Sequence, residues 1–215
     1  MARDRGEAAR IAADVTIRSG SEARSGAFEA ADFDSHPAFM VRAIEELGGL
    51  DGVVLCFGTL GGEQAAWRDS RQALAIVNQN YTGAVSILTL CAAHLEAHRS
   101  GFIVVIGSVA GDRGRRNNYA YGSAKGGLAL FAQGLRARLA DAGVHVMTVK
   151  PGYVDSRMTW GRPGVFLNAS PAAVAGRIHA ALKRKADVIY APAFWRVIMG
   201  AVKLIPERIF KRINI

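Results

Sequence analysis

Apolar residues follow two different rhythms along this chain. Unbroken β-branched runs bounded by glycine, Asp51 to Phe57 and Phe102-Ile103-Val104-Val105-Ile106, predict strands buried on both faces. Ala27 to Asp32, Val144 to Lys150 and Asp187 to Ala191 predict three further strands, the first and last of them short. Between these runs the apolar positions return every three or four residues. Phe39, Met40, Ile44 and Leu47 mark a helix over Pro37 to Leu47, and Ser70 to His98 reads as one long helix interrupted by Asn78-Gln79-Asn80. Asn118 to Ala142 predicts a second long helix, closed by Gly143 at the position where a left-handed residue ends helices. Ser170 and Pro171 open a helix running to Arg184, as N-cap and first helical residue. Gly6 to Ala13 reads as the end of a helix, followed by a polar connector through Gly26. Strands alternating with helices predict an α/β architecture, a parallel sheet with helices on both faces.

Composition narrows the function classes. With 215 residues, half of them hydrophobic, one substantial core and a single domain over 1–215 are expected. Cys56 on a strand and Cys91 in an apolar helix predict buried free thiols, which suits a reducing cytoplasm. No cysteine and histidine cluster has metal-ligand spacing. The net charge of +9 is spread in small groups without aromatic interleaving, so nucleic acid is not an expected partner. Neither a signal peptide nor an apolar run of spanning length is present.

The chemistry concentrates in Tyr121-Gly-Ser-Ala-Lys125 and in Ser108, which follows the Phe102 strand. Residues four apart on a helix share a face with Cβ atoms about 6 Å apart. An ammonium beside a phenol favours phenolate and lowers its pKa, letting tyrosine exchange a proton with an alkoxide near neutral pH. Ser108 at the strand's carboxyl end lies where open α/β sheets bind ligands. Tyr119 has Ser123 rather than a lysine four residues on, which leaves Tyr121 as the candidate.

Together with Asp32-Phe33, Asn80-Tyr81-Thr82-Gly83, Gly107-Ser108-Val109-Ala110-Gly111 and Pro151-Gly152-Tyr153-Val154-Asp155-Ser156, these segments resemble the short-chain dehydrogenase/reductase family over nearly the whole chain. The resemblance implies a Rossmann-like doubly wound sheet and an NAD- or NADP-dependent oxidoreductase. It assigns catalytic roles to Ser108, Tyr121, Lys125 and Asn80, with Asn80 bending its helix around a water of the proton relay. Cofactor contacts fall by the same resemblance on Arg3, Asp32, Phe33, Gly58, Tyr121, Lys125, Pro151, Gly152, Val154 and Ser156. Sugar-nucleotide epimerases share Tyr-x-x-x-Lys, but they carry a substrate domain for which this chain has no room. Asp32 through Pro37, Cys56-Phe57-Gly58-Thr59-Leu60-Gly61, Arg115-Arg116-Asn117 and Ile205 through Phe210 resemble a bacterial subgroup that includes the reductase of decaprenylphosphoryl-2-keto-ribose. That likeness implies cell-wall biosynthesis and a small-molecule or lipid-linked sugar substrate, and the family as a whole implies a homo-oligomer.

Two departures complete the expectation. The family's opening strand and its Thr-Gly-x-x-x-Gly-x-Gly turn have no counterpart, and Ala2-Arg3-Asp4-Arg5 aligns just after the second strand. The first strand, first helix and most of the second strand are therefore expected to be missing, through a late start codon or real loss. Real loss would make the chain a catalytically impaired relative that acts as a binding or assembly partner. The basic amphipathic tail over 192–215, divided by Pro206, fits either packing on the body or peripheral contact with the inner membrane face.

Overall fold

The computed structural model describes residues 4–161 and 167–213. Its centre is a parallel sheet of β1 (Gly52–Leu55), β2 (Phe102–Ile106), β3 (His145–Pro151) and β4 (Val188–Ala191), in spatial order β1-β2-β3-β4. In chain order the helices are α1 (Arg5–Ser19), α2 (His36–Leu47), α3 (Glu63–Ala66), α4 (Ser70–Val77), α5 (Gly83–His98), α6 (Tyr119–Leu139), α7 (Pro171–Lys183), α8 (Trp195–Leu204) and α9 (Glu207–Phe210).

Alternation of side chains along the strands builds two cores, one on each face. Ile103, Val105 and Val146 pack with Leu88, Leu95, Leu128 and Leu139 of α5 and α6. Val104, Met147 and Val149 meet Ala181 of α7 on the opposite face. The helices on both faces give the Rossmann-like α/β arrangement expected from the sequence. Full burial of each such side chain contributes about 1.5–3 kcal/mol.

Three expectations are corrected. Ala27 to Asp32 is not a strand, because no described strand lies beside it. It instead lies against α5, so closely that a Cβ on Gly83 would stand 2.0 Å from the Ala30 carbonyl oxygen. The run from Asp51 to Phe57 pairs over only four residues and on one side, so Val54 is 52% exposed and Cys56 is exposed rather than buried. The interruption expected at Asn78-Gln79-Asn80 in the helix over 70–98 is a π-helical turn at Asn78–Thr82 that joins α4 to α5. Extra backbone in such a turn shifts the register of the helical faces, commonly at functional sites. The helix expected to end near Ala13 extends to Ser19, capped at its start by Asp4. Cys91 is buried as expected, with desolvation pushing its thiol up to about 12.

The tail folds back on the body. Trp195 and Met199 pack on Val109, and Phe210 is also buried. Arg113 secures this arrangement by donating to the carbonyls of Val202 (2.7 Å) and Ile205 (2.6 Å), pairing with Glu207 (3.0 Å) and stacking 3.8 Å over Phe210. The outer face keeps Leu204, 84% exposed, together with Val197 and Ile209. Among the described residues no helix is long and apolar enough to cross a membrane.

Candidate active site

The carboxyl ends of β1, β2 and β3 each feed a loop into one region. Beyond β2, Ser108 caps a short 3₁₀ turn (Val109–Asp112), its hydroxyl accepting from the Ala110 amide at 3.1 Å. That turn lies on α6 with backbone against backbone. A Cβ on Gly111 would stand 2.6 Å from the Gly126 amide nitrogen, and one on Gly126 would stand 2.9 Å from the Gly111 carbonyl oxygen. Only glycine permits this approach, and it brings the Ser108 hydroxyl beside the Tyr121 phenol, where it favours the ionised form. Gly111→Val should push the turn off α6. At least a hundredfold loss of activity is expected, the scale set by misplaced reacting groups, with the chain still folded by circular dichroism.

Lys125 lies one turn beyond Tyr121 and is 3% exposed. Its ammonium donates to the Ile106 carbonyl at 3.1 Å, and its Nζ stands 5.9 Å from the centre of the Tyr121 ring. Asn80, fully buried in the π turn, holds the loop after β1. Its Oδ1 accepts from the Thr59 amide (3.0 Å), while its Nδ2 donates to the carbonyls of Thr59 and Ile76 (both 2.8 Å). Gly58 sits between them, since a Cβ there would meet Asn80 Oδ1 at 2.6 Å and Lys125 Nζ at 3.3 Å.

The electrostatics differ from the simple picture of an ammonium acidifying a phenol. Burial pushes the Tyr121 pKa up from its ordinary value, and the hydrogen bond with Ser108 partly opposes this. Lys125 is itself desolvated, down to about 8, with the Cys56 thiol acting in the opposite sense. Tyr121 is thus held as a neutral phenol, a loaded proton donor. A depressed lysine pKa means that the folded chain binds fewer protons than the unfolded chain between about pH 8 and 10.5, so this burial penalty fades as pH rises. Lys125→Met should leave stability at pH 7 equal or higher. Urea unfolding at pH 7 and 10 should show the parent gaining about 3 kcal/mol relative to the variant, the equivalent of its shift.

A family model for short chain dehydrogenase matches residues 1–163. The chain belongs to the short-chain dehydrogenase family. An uncharacterized oxidoreductase of Mycobacterium tuberculosis is 38% identical over 185 residues, covering 86% of this chain and 74% of that protein. One from Streptomyces coelicolor is 38% identical over 194 residues, covering 90% and 76%. In fold the chain is similar to a short-chain dehydrogenase from Sphingobium yanoikuyae in complex with NADPH. That match has a TM-score of 0.79 and 20% identity, and covers 95% of this chain and 85% of that one.

Within this dehydrogenase fold, Ser108, Tyr121, Lys125, Asn80 and Gly58 gather at one edge of the sheet. Pro151 and Gly152 end and follow β3 at the same edge. A Cβ on Gly152 would stand 1.8 Å from the Trp195 indole nitrogen, so the tail reaches this strand end too. Val154 is held by a single bridge to Ala169, and Ser156 starts the turn closed by the Thr159 hydroxyl. Asp32 and Phe33 stand apart from this group. Asp32 lines a cavity of about 370 Å³ with Arg5 and Arg42, and Phe33 meets His36 edge-on at 6.1 Å. Arg3 lies outside the described residues. Among the described residues no group of acidic, histidine or cysteine side chains could hold a metal ion.

Two contributors escaped the sequence argument. Asp112 is buried between Lys150, its ion-pair partner, and the Tyr190 hydroxyl at 2.7 Å, joining the turn after Ser108 to β3 and β4. His36 is fully buried, bonded to Ser86 (2.8 Å) and the Glu29 carbonyl (3.1 Å), and fixes the Asp32 loop on α5. Neither has a local sequence signal, because the side chains they bond are 38, 50 and 78 residues away.

Proposed function

We propose that the chain catalyses hydride transfer between a nicotinamide dinucleotide, NAD or NADP, and a carbonyl or alcohol carbon. One observation carries this reading: the Tyr121 phenol, whose ionised form the Ser108 hydroxyl favours, lies one helical turn from a buried ammonium that has no carboxylate partner among the described residues. Ser108 and Tyr121 would orient the carbonyl oxygen, and Tyr121 would give it a proton as the carbon becomes an alcohol. Burial of the phenol favours this reductive direction near neutral pH.

Lys125 also suits the cofactor's nicotinamide half. It has three N–H donors, of which one serves Ile106, leaving two for ribose hydroxyls. Gly58, Pro151, Gly152, Val154 and Ser156 would line the same half, while Asp32 and Phe33 would serve the adenine end. When bound, the nicotinamide supplies or accepts the hydride. Asn80 acts by holding Gly58 and Thr59 against Lys125, since its amide N–H groups are both spent on backbone carbonyls.

Val54 is half-exposed on an edge of β1 that is unpaired among the described residues, which supports a further strand pairing there in the working enzyme. The second reading is an impaired relative with a binding role. Titration with NADH and NADPH, followed by turnover against a panel of 2-keto sugars, separates the two. Cofactor oxidation dependent on Tyr121 supports the enzyme, and none at saturating cofactor supports the binding role.

For substrate we propose a 2-keto-pentose on a polyprenyl phosphate, with the tail resting on the inner membrane face. Val197, Leu204 and Ile209 outside, flanked by Arg196, Lys203 and Arg208, support such contact. Leu204→Glu with Ile209→Glu should abolish co-sedimentation with anionic liposomes without changing the melting temperature, both positions being exposed. Unchanged co-sedimentation would remove the tail from that role. Exposed Leu74 and Leu130 on α4 and α6 support a homo-oligomer.

A further inference from the structure

A cavity of about 290 Å³ lies between the loop 113–118 and α9, lined by Arg115, Arg116, Tyr119, Phe210 and Lys211 among others. It belongs to none of the residues placed in the hydride-transfer site. Its one carboxylate, Glu207, is already paired with Arg113. Arg116 spends a single N–H on the Lys211 carbonyl at 3.2 Å. Among the described residues no carboxylate pairs with Arg115, Arg116 or Lys211.

The Arg115 Nε is buried and has no hydrogen-bond partner. A buried donor left unmade is rare, and a charged one is the costliest kind. Three cations without a carboxylate partner among the described residues, Arg115, Arg116 and Lys211, line a pocket with an apolar wall at Phe210. That combination suits a tetrahedral or planar oxyanion attached to a small organic body.

We propose that this pocket binds a phosphate group, and that in the reaction it holds the anionic group of the carbonyl substrate. Loop 113–118 connects the turn bearing Ser108 to the helix bearing Tyr121, so a group held there is anchored to the segment that carries both hydroxyls. Assignment of the anion to substrate rests on the redox reading, whereas occupancy of the pocket does not.

The test uses the full chain at physiological salt, which screens its general positive charge. Inorganic phosphate and phenyl phosphate are titrated by phosphorus NMR, with Arg115→Gln, Lys211→Gln and, as a control remote from the pocket, Arg138→Gln. Binding of both probes, weakened at least tenfold by Arg115→Gln and by Lys211→Gln but not by Arg138→Gln, is the expected result. Lys211 is exposed, so its variant reads the pocket even if Arg115→Gln perturbs folding. Vesicles containing phosphatidic acid are tested in parallel. Their retention and release by phenyl phosphate would make a lipid-borne phosphate the source, while binding of soluble probes alone would make it a free phosphoester. Equal binding by parent and both pocket variants overturns the proposal, as does retention on vesicles that phenyl phosphate cannot displace. Neither readout needs turnover, so failure of the pocket and failure of the redox reading are distinguishable.

Discussion

Tyr121→Phe should lower carbonyl reduction by roughly a thousandfold, the scale of a lost proton donor, while cofactor affinity stays within twofold. The substitution removes one oxygen and leaves the buried ring in place. Its structural cost is the polar interaction with Ser108, worth about 1 kcal/mol at most. The melting temperature should therefore fall by only a few degrees. That separation is what distinguishes a catalytic phenol from a core tyrosine, whose replacement would move stability and leave turnover alone. Steady-state kinetics beside a thermal melt provide both numbers, and turnover within tenfold of the parent would remove Tyr121 from its role.

Asp112→Ala should produce the largest loss of stability. The Asp112 carboxylate is 2% exposed and holds both the Lys150 ammonium and the Tyr190 hydroxyl. Removing one member of a buried ion pair costs about 3–5 kcal/mol, because the remaining charge is left in a poor solvent. For a chain of this size that corresponds to about 10 °C in melting temperature. Activity should fall as well, since the turn from Val109 to Asp112 positions Ser108. The double variant Asp112→Leu with Lys150→Met removes both charges and should regain much of the stability but little of the activity. If the double variant were no more stable than the single one, the loss could not be assigned to an uncompensated charge.

The pattern of side chains along the chain carried most of the architecture. The runs at Phe102 and Val144 reappear as central strands within a residue or two, because they are apolar on both faces and bounded by glycine or proline. Edges were less legible. Val53 and Val54 look as buried in sequence as Val104 and Val105, yet among the described residues β1 has a neighbour on one side only. Ala27 to Asp32 has strand composition but no strand beside it among the described residues. Strand formation depends on a partner that a local pattern cannot supply.

The site divides in the same way. Tyr121 and Lys125 share a helical face by spacing alone, and Ser108 is delivered by the end of β2. Their electrostatic relation was not legible. Proximity in sequence suggested that Lys125 acidifies Tyr121, but burial acts on both side chains and raises one pKa while lowering the other. Burial is a property of packing, and Gly111 against Gly126 and Gly58 against Asn80 create it here.

Transfer of deuterium from NADPH labelled at the nicotinamide C4 to the carbinol carbon of the product tests the central claim most directly. The account predicts label in the alcohol formed by the parent chain at saturating cofactor, from one face of the nicotinamide, and essentially none with Tyr121→Phe. Product alcohol without label, or equal labelling by the phenylalanine variant, would contradict it.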